Sequence, residues 1–144
     1  MPSFSTNSIR RLDTCHPDLK IIFEQVVRLY DCSILEGHRS AARQEELYQD
    51  QKTQVRYPNS KHNSEPSMAC DVAPYPVNWS TAGKTIGRYY YLAALVEALS
   101  KVLYAQNVIT HHVRWGGDWD MDKDFDDQSF DDLVHFELYN PEEN

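Results

Sequence analysis

The sequence predicts an α+β domain in which about three helices pack on a small sheet. Three stretches repeat apolar residues at helical spacing, and short segments between them alternate or run apolar as strands do. A chain of 144 residues buries one core, so residues 1–144 are taken as a single domain.

Met1 to Thr14 is polar and is expected to be partly extended. A helix is signalled from Pro17: proline suits the first turn, Asp18 complements its positive end, and Leu19, Ile22, Phe23, Val26, Val27 and Tyr30 recur on one face. Cys32 to His38 has the composition of a strand. Ser40 is placed to cap a second helix over Ala41 to Gln51, with Ala42, Leu47 and Tyr48 on its buried side. Lys52 to Pro66 is polar and broken by two prolines, hence a loop, longer than ordinary connections and of the kind that tends to carry function. Met68 to Ala73 is the next strand, with Ala69, Asp71 and Ala73 on one face and Met68, Cys70 and Val72 on the other. The longest helix begins near Ser80 or Thr81 and is well patterned from Ile86 to Ala105. Its Tyr89–Tyr91 run is assigned to the core. Asn107 to Arg114 is expected as a strand. Its adjacent His111 and His112 face opposite ways, so at most one can look into the site, and both are read as structural or surface histidines outside the zinc shell. Leu133 to Leu138 is the last strand, with Val134, Phe136 and Leu138 on one face and Leu133, His135 and Glu137 on the other.

Composition removes several functional classes. The formal net charge of −8 opposes nucleic-acid binding, which needs basic patches. No apolar run approaches the roughly 20 residues that cross a bilayer, and the N-terminus has no secretory-signal pattern. Synthesis in a reducing cytosol is expected, because Cys15, Cys32 and Cys70 are odd in number and show no paired spacing. Cys70 is assigned to the buried face of its strand rather than to nucleophilic chemistry.

The chemistry gathers around Ser60–Pro74, where a polar loop carrying His62 runs into the strand carrying Asp71. Imidazole and carboxylate both suit zinc, and His135 offers a third ligand from another strand. Three protein ligands with one open position is the plan of a catalytic zinc site. Spacing alone is shared by many proteins without a metal. The run from Asp118 to Asp132 holds eight aspartates in fifteen residues and is expected as a solvated loop. Asp120, Asp122 and Asp124 alternate like the first ligands of a calcium loop, but the glycine at the sixth position is missing and Asp131 replaces the final glutamate. Calcium at this run is the alternative to an ordinary acidic loop. Trp115-Gly-Gly-Asp-Trp119 is either a groove lined by indoles or a turn between two core tryptophans.

Ser60-Lys-His62, Ala69-Cys-Asp71 and Asp132-x-x-His135-Phe-Glu-Leu138 together resemble the zinc peptidases that include D-alanyl-D-alanine carboxypeptidases and dipeptidases and phage L-alanyl-D-glutamate endopeptidases. Gly37-His-Arg39-Ser, Gln44, Leu47-Tyr48 and Trp115–Trp119 fit the short phage-endolysin branch in the family's order. One departure is that two extra residues separate His62 from Asp71 and the usual glycine between them is absent. The resemblance implies a mostly antiparallel sheet of the Hedgehog/DD-peptidase kind. It implies His62, Asp71 and His135 as zinc ligands and Asp132 as general base. Arg39 is then an oxyanion or carboxylate partner, and Ser60, Gln44 and Trp119 are substrate contacts. The implied substrate is the peptidoglycan stem peptide, cut at L-alanyl-D-glutamate by a monomer without a separate wall-binding domain. Such a protein is made in the host cytoplasm and acts on the wall after membrane passage, or rides in a virion. The alternatives are a D-alanyl-D-alanine peptidase, a non-catalytic zinc module that binds wall, and a calcium-regulated binding protein.

Overall fold

The computed structural model describes residues 1–126 and 131–143. Its main elements are α1 (Thr6–Leu12), α2 (Pro17–Leu29), β1 (Cys32–Glu36), α3 (Ala41–Gln49), β2 (Ala69–Pro74), α4 (Gly87–Ala105), β3 (His112–Trp115) and β4 (His135–Tyr139). Short 3-10 turns stand at Lys61–Asn63, Gly83–Thr85 and Pro141–Glu143. The strands form one antiparallel sheet in the order β1-β2-β4-β3. The expected α+β class holds. Among the described residues no helix is long and apolar enough to cross a membrane.

One face of the sheet meets α2 and α4. Leu19, Ile22, Phe23 and Val26 of α2 and Leu92 and Val96 of α4 close over Ile34, Cys70, Val72, Phe136 and Leu138. Phe23 meets Phe136 edge-on at 5.5 Å, and truncating either ring to alanine costs about 3–5 kcal/mol. Pro17 and Asp18 occupy the first turn of α2, while His16 caps it by accepting from the Asp18 backbone N–H. Ser40 caps α3 as the sequence indicates. That helix adds nothing to the main core, because its buried Gln44 and Leu47 lie on the cleft side of the sheet. The opposite face of β2 and β4 is therefore open enough to hold a site.

Several expectations need correction. Half of the N-terminal segment, Thr6–Leu12, is helical rather than extended, and Ser5 caps it by accepting from Ser8 N–H. Its stability is tertiary: Ser8 Oγ accepts from Ile34 N–H at 3.0 Å, and Arg11 Nη1 donates to the Ile34 carbonyl at 3.0 Å. These bonds cover the edge of β1, which otherwise exposes unpaired backbone groups. The close approach needs Gly37, where an added Cβ would lie 2.5 Å from the Arg11 carbonyl oxygen and 2.9 Å from Cys15 Sγ. The second correction concerns 107–111, which is a turn and not a strand. Asn107 takes φ 61°, and Thr110 N–H is drawn to the Asp18 carboxylate at 2.9 Å. Within the Tyr89–Tyr91 run, Tyr89 is buried and Tyr90 packs on the core, but Tyr91 faces solvent.

Candidate active site

Two neighbouring strands present the site. Asp71 pairs directly with His135 across β2 and β4, and alternation places Glu137 beside His135 on the same face. Phe136 and Leu138 occupy the core face. On the other side of β2, the register shifts between Ile34 and Glu36, which sets Glu36 opposite Asp71. His62 arrives from the long loop, whose last turn is fixed by a capping box: Ser60 Oγ accepts from His62 N–H, and Asn63 Oδ1 accepts from Ser60 N–H.

The three expected ligands meet. His62 Nε2 lies 3.1 Å and His135 Nδ1 3.3 Å from the same oxygen, Asp71 Oδ1, and the two rings stand 5.2 Å apart. The far side of each ring fixes its tautomer. His62 Nδ1 faces the Gly37 carbonyl at 2.8 Å and His135 Nε2 faces Glu137 Oε1 at 2.8 Å. Both partners are acceptors, so both ring atoms carry the proton. The opposite nitrogens then aim lone pairs at a carboxylate oxygen, an arrangement that repels unless a proton or metal ion sits between them. Without a metal, a proton takes that place at His135. Burial works against a charged His135, but the hydrogen bonds to Asp71 and Glu137 outweigh it and lift its pKa to about 9. Burial likewise opposes an ionised Asp71, yet bonding to His135 and His62 holds its carboxyl well below the usual range. Glu137 falls to about 2 because the His135 and Arg114 hydrogen bonds overcome its burial. The donor set thus fits a divalent cation of borderline softness, and these side chains are a group able to hold one.

The surrounding cleft encloses 850 Å³ and is lined by Arg39, Ser60, His62, Asp71, Trp119, Asp132 and His135, with Lys61, Trp79 and Arg114 on its walls. Asp132 makes no side-chain hydrogen bond or ion pair among the described residues. Burial first, and the charge of Asp71 second, raise its pKa above the ordinary 3.8, against the pull of His135, His62 and Arg39. Its position is fixed through the main chain. Asp132 N–H donates to the Gly116 carbonyl at 2.9 Å, and His135 N–H donates to the Asp132 carbonyl at 3.1 Å. Arg39 is buried and held on several sides: Nη2 meets Glu36 at 2.8 Å and Asp71 Oδ2 at 3.7 Å, and Nη1 donates to Gln44 Oε1 at 3.0 Å. Gln44 is fully buried behind Arg39 and does not line the cleft. The two tryptophans divide the roles that the sequence left open. Trp115 is core, whereas Trp119 lies 5.4 Å from the His135 ring in the cleft.

Sequence reasoning missed Glu36, Asn63 and Arg114. Asn63 donates to the Arg39 carbonyl and to Gln44 Oε1, and Arg114 donates to Glu137 at 2.8 Å. Only Glu36, three residues before Arg39, left a local trace. His111 and His112 do not line the cleft. In the acidic run, Asp118, Asp120 and Asp122 bring oxygens within 4.8 Å of one another, and Asp124 is not part of that group. Lys123 Nζ already meets buried Asp118 at 3.0 Å and Glu97 at 3.3 Å. Residues 127–130 of the run lie outside the described residues. Cys15, Cys32 and Cys70 are free and buried, with burial driving the Cys70 thiol far above its usual value.

A histidine pair and a carboxylate converge in an open cleft, beside an acid with no side-chain partner among the described residues, and such a group could hold a metal ion as the centres of metal-dependent hydrolases do. The chain belongs to the family of phage L-alanyl-D-glutamate peptidases, whose profile it matches over residues 2–139. Its fold is similar to that of the Serratia marcescens L-Ala D-Glu endopeptidase ChiX, with a TM-score of 0.69, 27% identity, and coverage of 96% of this chain and 91% of that one. No curated protein sequence matches it. The protein is a peptidase, and its substrate is peptidoglycan.

Proposed function

We propose that the chain is a zinc peptidase whose ion is held by His62, Asp71 and His135, with Asp132 as general base. The observation that carries this is the pair of imidazole lone pairs turned on one carboxylate oxygen, because a divalent cation relieves that repulsion. A bound zinc ion supplies Lewis acidity, which lowers the pKa of water toward about 7 and polarises a peptide carbonyl. Asp132 accepts the proton of the attacking water and returns it to the leaving amine of D-glutamate. Burial suits Asp132 to this exchange by holding its proton affinity above that of a solvated aspartate. Arg39, braced by Glu36 and Gln44, offers its guanidinium to the carbonyl oxygen as negative charge develops there. Glu137 fixes the His135 ring from behind. Ser60 and Trp119 contact the stem peptide, whereas Gln44 acts through Arg39 as a positioning residue. The enzyme works as a monomer on the wall after membrane passage.

The test is a digest of defined muropeptides by purified protein, with elemental analysis and mass-spectrometric identification of the new amine. Expected are one zinc in the cleft and a new D-glutamyl amine. Release of free D-alanine overturns the choice of bond. Asp132→Ala keeps zinc and loses about 10²–10⁴-fold in rate, while His135→Ala loses both. Unchanged cleavage by the Asp132 variant removes the base assignment. Calcium at Asp118, Asp120 and Asp122 is the lesser reading, since Lys123 already supplies positive charge there. A calorimetric titration with calcium that gives no heat above buffer removes it.

A further inference from the structure

A second group of the same composition lies outside the cleft. His16 precedes α2, Asp18 lies in its first turn and His111 stands just before β3, yet their donor atoms come within 4.8 Å of one another. The spacing of the two rings is similar to that of the cleft pair, although the two nitrogens face different oxygens of the carboxylate. The His16 and His111 rings are 4.9 Å apart at 73°, against 5.2 Å and 62° for His62 and His135. In both cases a carboxylate stands beside the two rings. His111 Nδ1 lies 2.9 Å from Asp18 Oδ2, and His16 Nδ1 lies 3.9 Å from Asp18 Oδ1.

We infer that His16, Asp18 and His111 form a second binding site for a zinc-class divalent cation, one that clips the start of α2 to the segment entering β3. Two imidazoles and a carboxylate are a sufficient protein donor set for zinc, cobalt, nickel or copper, with water completing the shell. Side-chain exposures of 24% for His16 and 19% for His111 leave room for that water.

Ordinary structural bonds account for part of the cluster. Thr110 N–H and Oγ1–H both donate to Asp18 Oδ2, and His16 Nδ1 accepts from Asp18 N–H as the helix cap. They leave Asp18 Oδ1 and the Nε2 atoms of both rings without a hydrogen-bond partner among the described residues. A metal on His16 Nδ1 competes with the cap, which makes this site the weaker and more exchangeable of the two. Because the ligands come together only in the folded chain, binding stabilises the fold.

Calorimetry with zinc and visible absorption with cobalt test the site on the intact chain. The unsubstituted protein is expected to take up a second equivalent at micromolar metal. A His62→Ala/His135→Ala chain, deprived of the cleft ligands, is expected to keep one equivalent and to gain thermal stability when zinc is added. Adding His111→Asn, which still donates to Asp18, removes that equivalent and the stability gain while the circular dichroism stays native. His111→Asn alone leaves muropeptide cleavage unchanged, so failure here is distinct from failure of the peptidase assignment. Uptake of a single equivalent that vanishes in the His62→Ala/His135→Ala chain overturns the inference. So does a second equivalent that survives His111→Asn.

Discussion

Gly116→Ala tests whether Asp132 must stand where the fold puts it. Gly116 follows the core residue Trp115 and is bonded on both sides of the site: its N–H donates to the His135 carbonyl at 2.8 Å and its carbonyl accepts from Asp132 N–H at 2.9 Å. A methyl group there would press on the Asp132 carbonyl oxygen and lie 2.9 Å from Asp132 Cβ and 3.0 Å from Asp132 C, against the 3.4–4 Å of ordinary contact. All three atoms belong to one residue's rigid frame, so the segment must retreat by about 1 Å rather than rotate a side chain away. A displacement of about 1 Å in a positioned catalytic group costs about 10²-fold in rate, or about 2.7 kcal/mol of barrier. His135 is held independently by its β4 pairing with Asp71 and by Glu137, so metal content is expected to persist. The assay is kcat/KM on a defined muropeptide, with zinc content and circular dichroism measured alongside. Gly87→Ala is the control, because nothing lies within 4 Å of its added methyl. A Gly116→Ala protein that is folded, fully loaded with zinc and within a few-fold of the unsubstituted rate would refute the positional argument.

Three further outcomes follow from the same geometry. Gln44→Ala strips a partner from Arg39 Nη1 and from Asn63 Nδ2 in a buried setting, so it should cost about 1–3 kcal/mol of stability and lower the cleavage rate without loss of zinc. Urea melts and kinetics check both, and unaltered kinetics would detach Gln44 from the site. Asp18 has a folded pKa below its ordinary 3.8, because bonds from His111 and Thr110 overcome its burial. Its contribution to stability is therefore complete above that ordinary value and is lost as pH falls through the lowered one. In chelator, urea midpoints of Asp18→Asn should fall less steeply with acid than those of the parent, and parallel curves would contradict this. Cys32, its thiol pushed up to about 12 by burial and then by Asp31, should resist alkylation at mildly alkaline pH until denaturant is added. Rapid labelling of the native protein would show that the segment opens.

The elements that the sequence makes legible are those whose evidence is local. His135 and Glu137 alternate with Phe136 and Leu138, so the strand, its two faces and the inward His follow from four consecutive residues, and all hold in the structure. Helix α2 is equally plain, because its proline, acid and apolar stripe lie within its own span. Helix α1 is not, because only Leu12 of its seven residues joins the core, while Ser8 Oγ accepts from the Ile34 N–H and Arg11 donates to the Ile34 carbonyl. Val108 and Ile109 suggest a strand before β3, but the Asp18 carboxylate, 92 residues away, turns the Thr110 backbone out of any ladder. Gln44 shows the limit from within the site. On a helix with Ala42 and Leu47 nothing marks a glutamine for complete burial, and only the folded positions of Arg39 and Asn63 give it a reason. The same limit separates the two histidine–aspartate groups. His62 and Asp71 sit in one loop-and-strand unit, so their chemistry is visible before folding. His111 is 93 residues from Asp18, and its pairing becomes visible only when α2 and β3 are brought together. Residue types thus announce which donors exist, while the register of β2 against β4 and the docking of α2 decide which of them can share an ion.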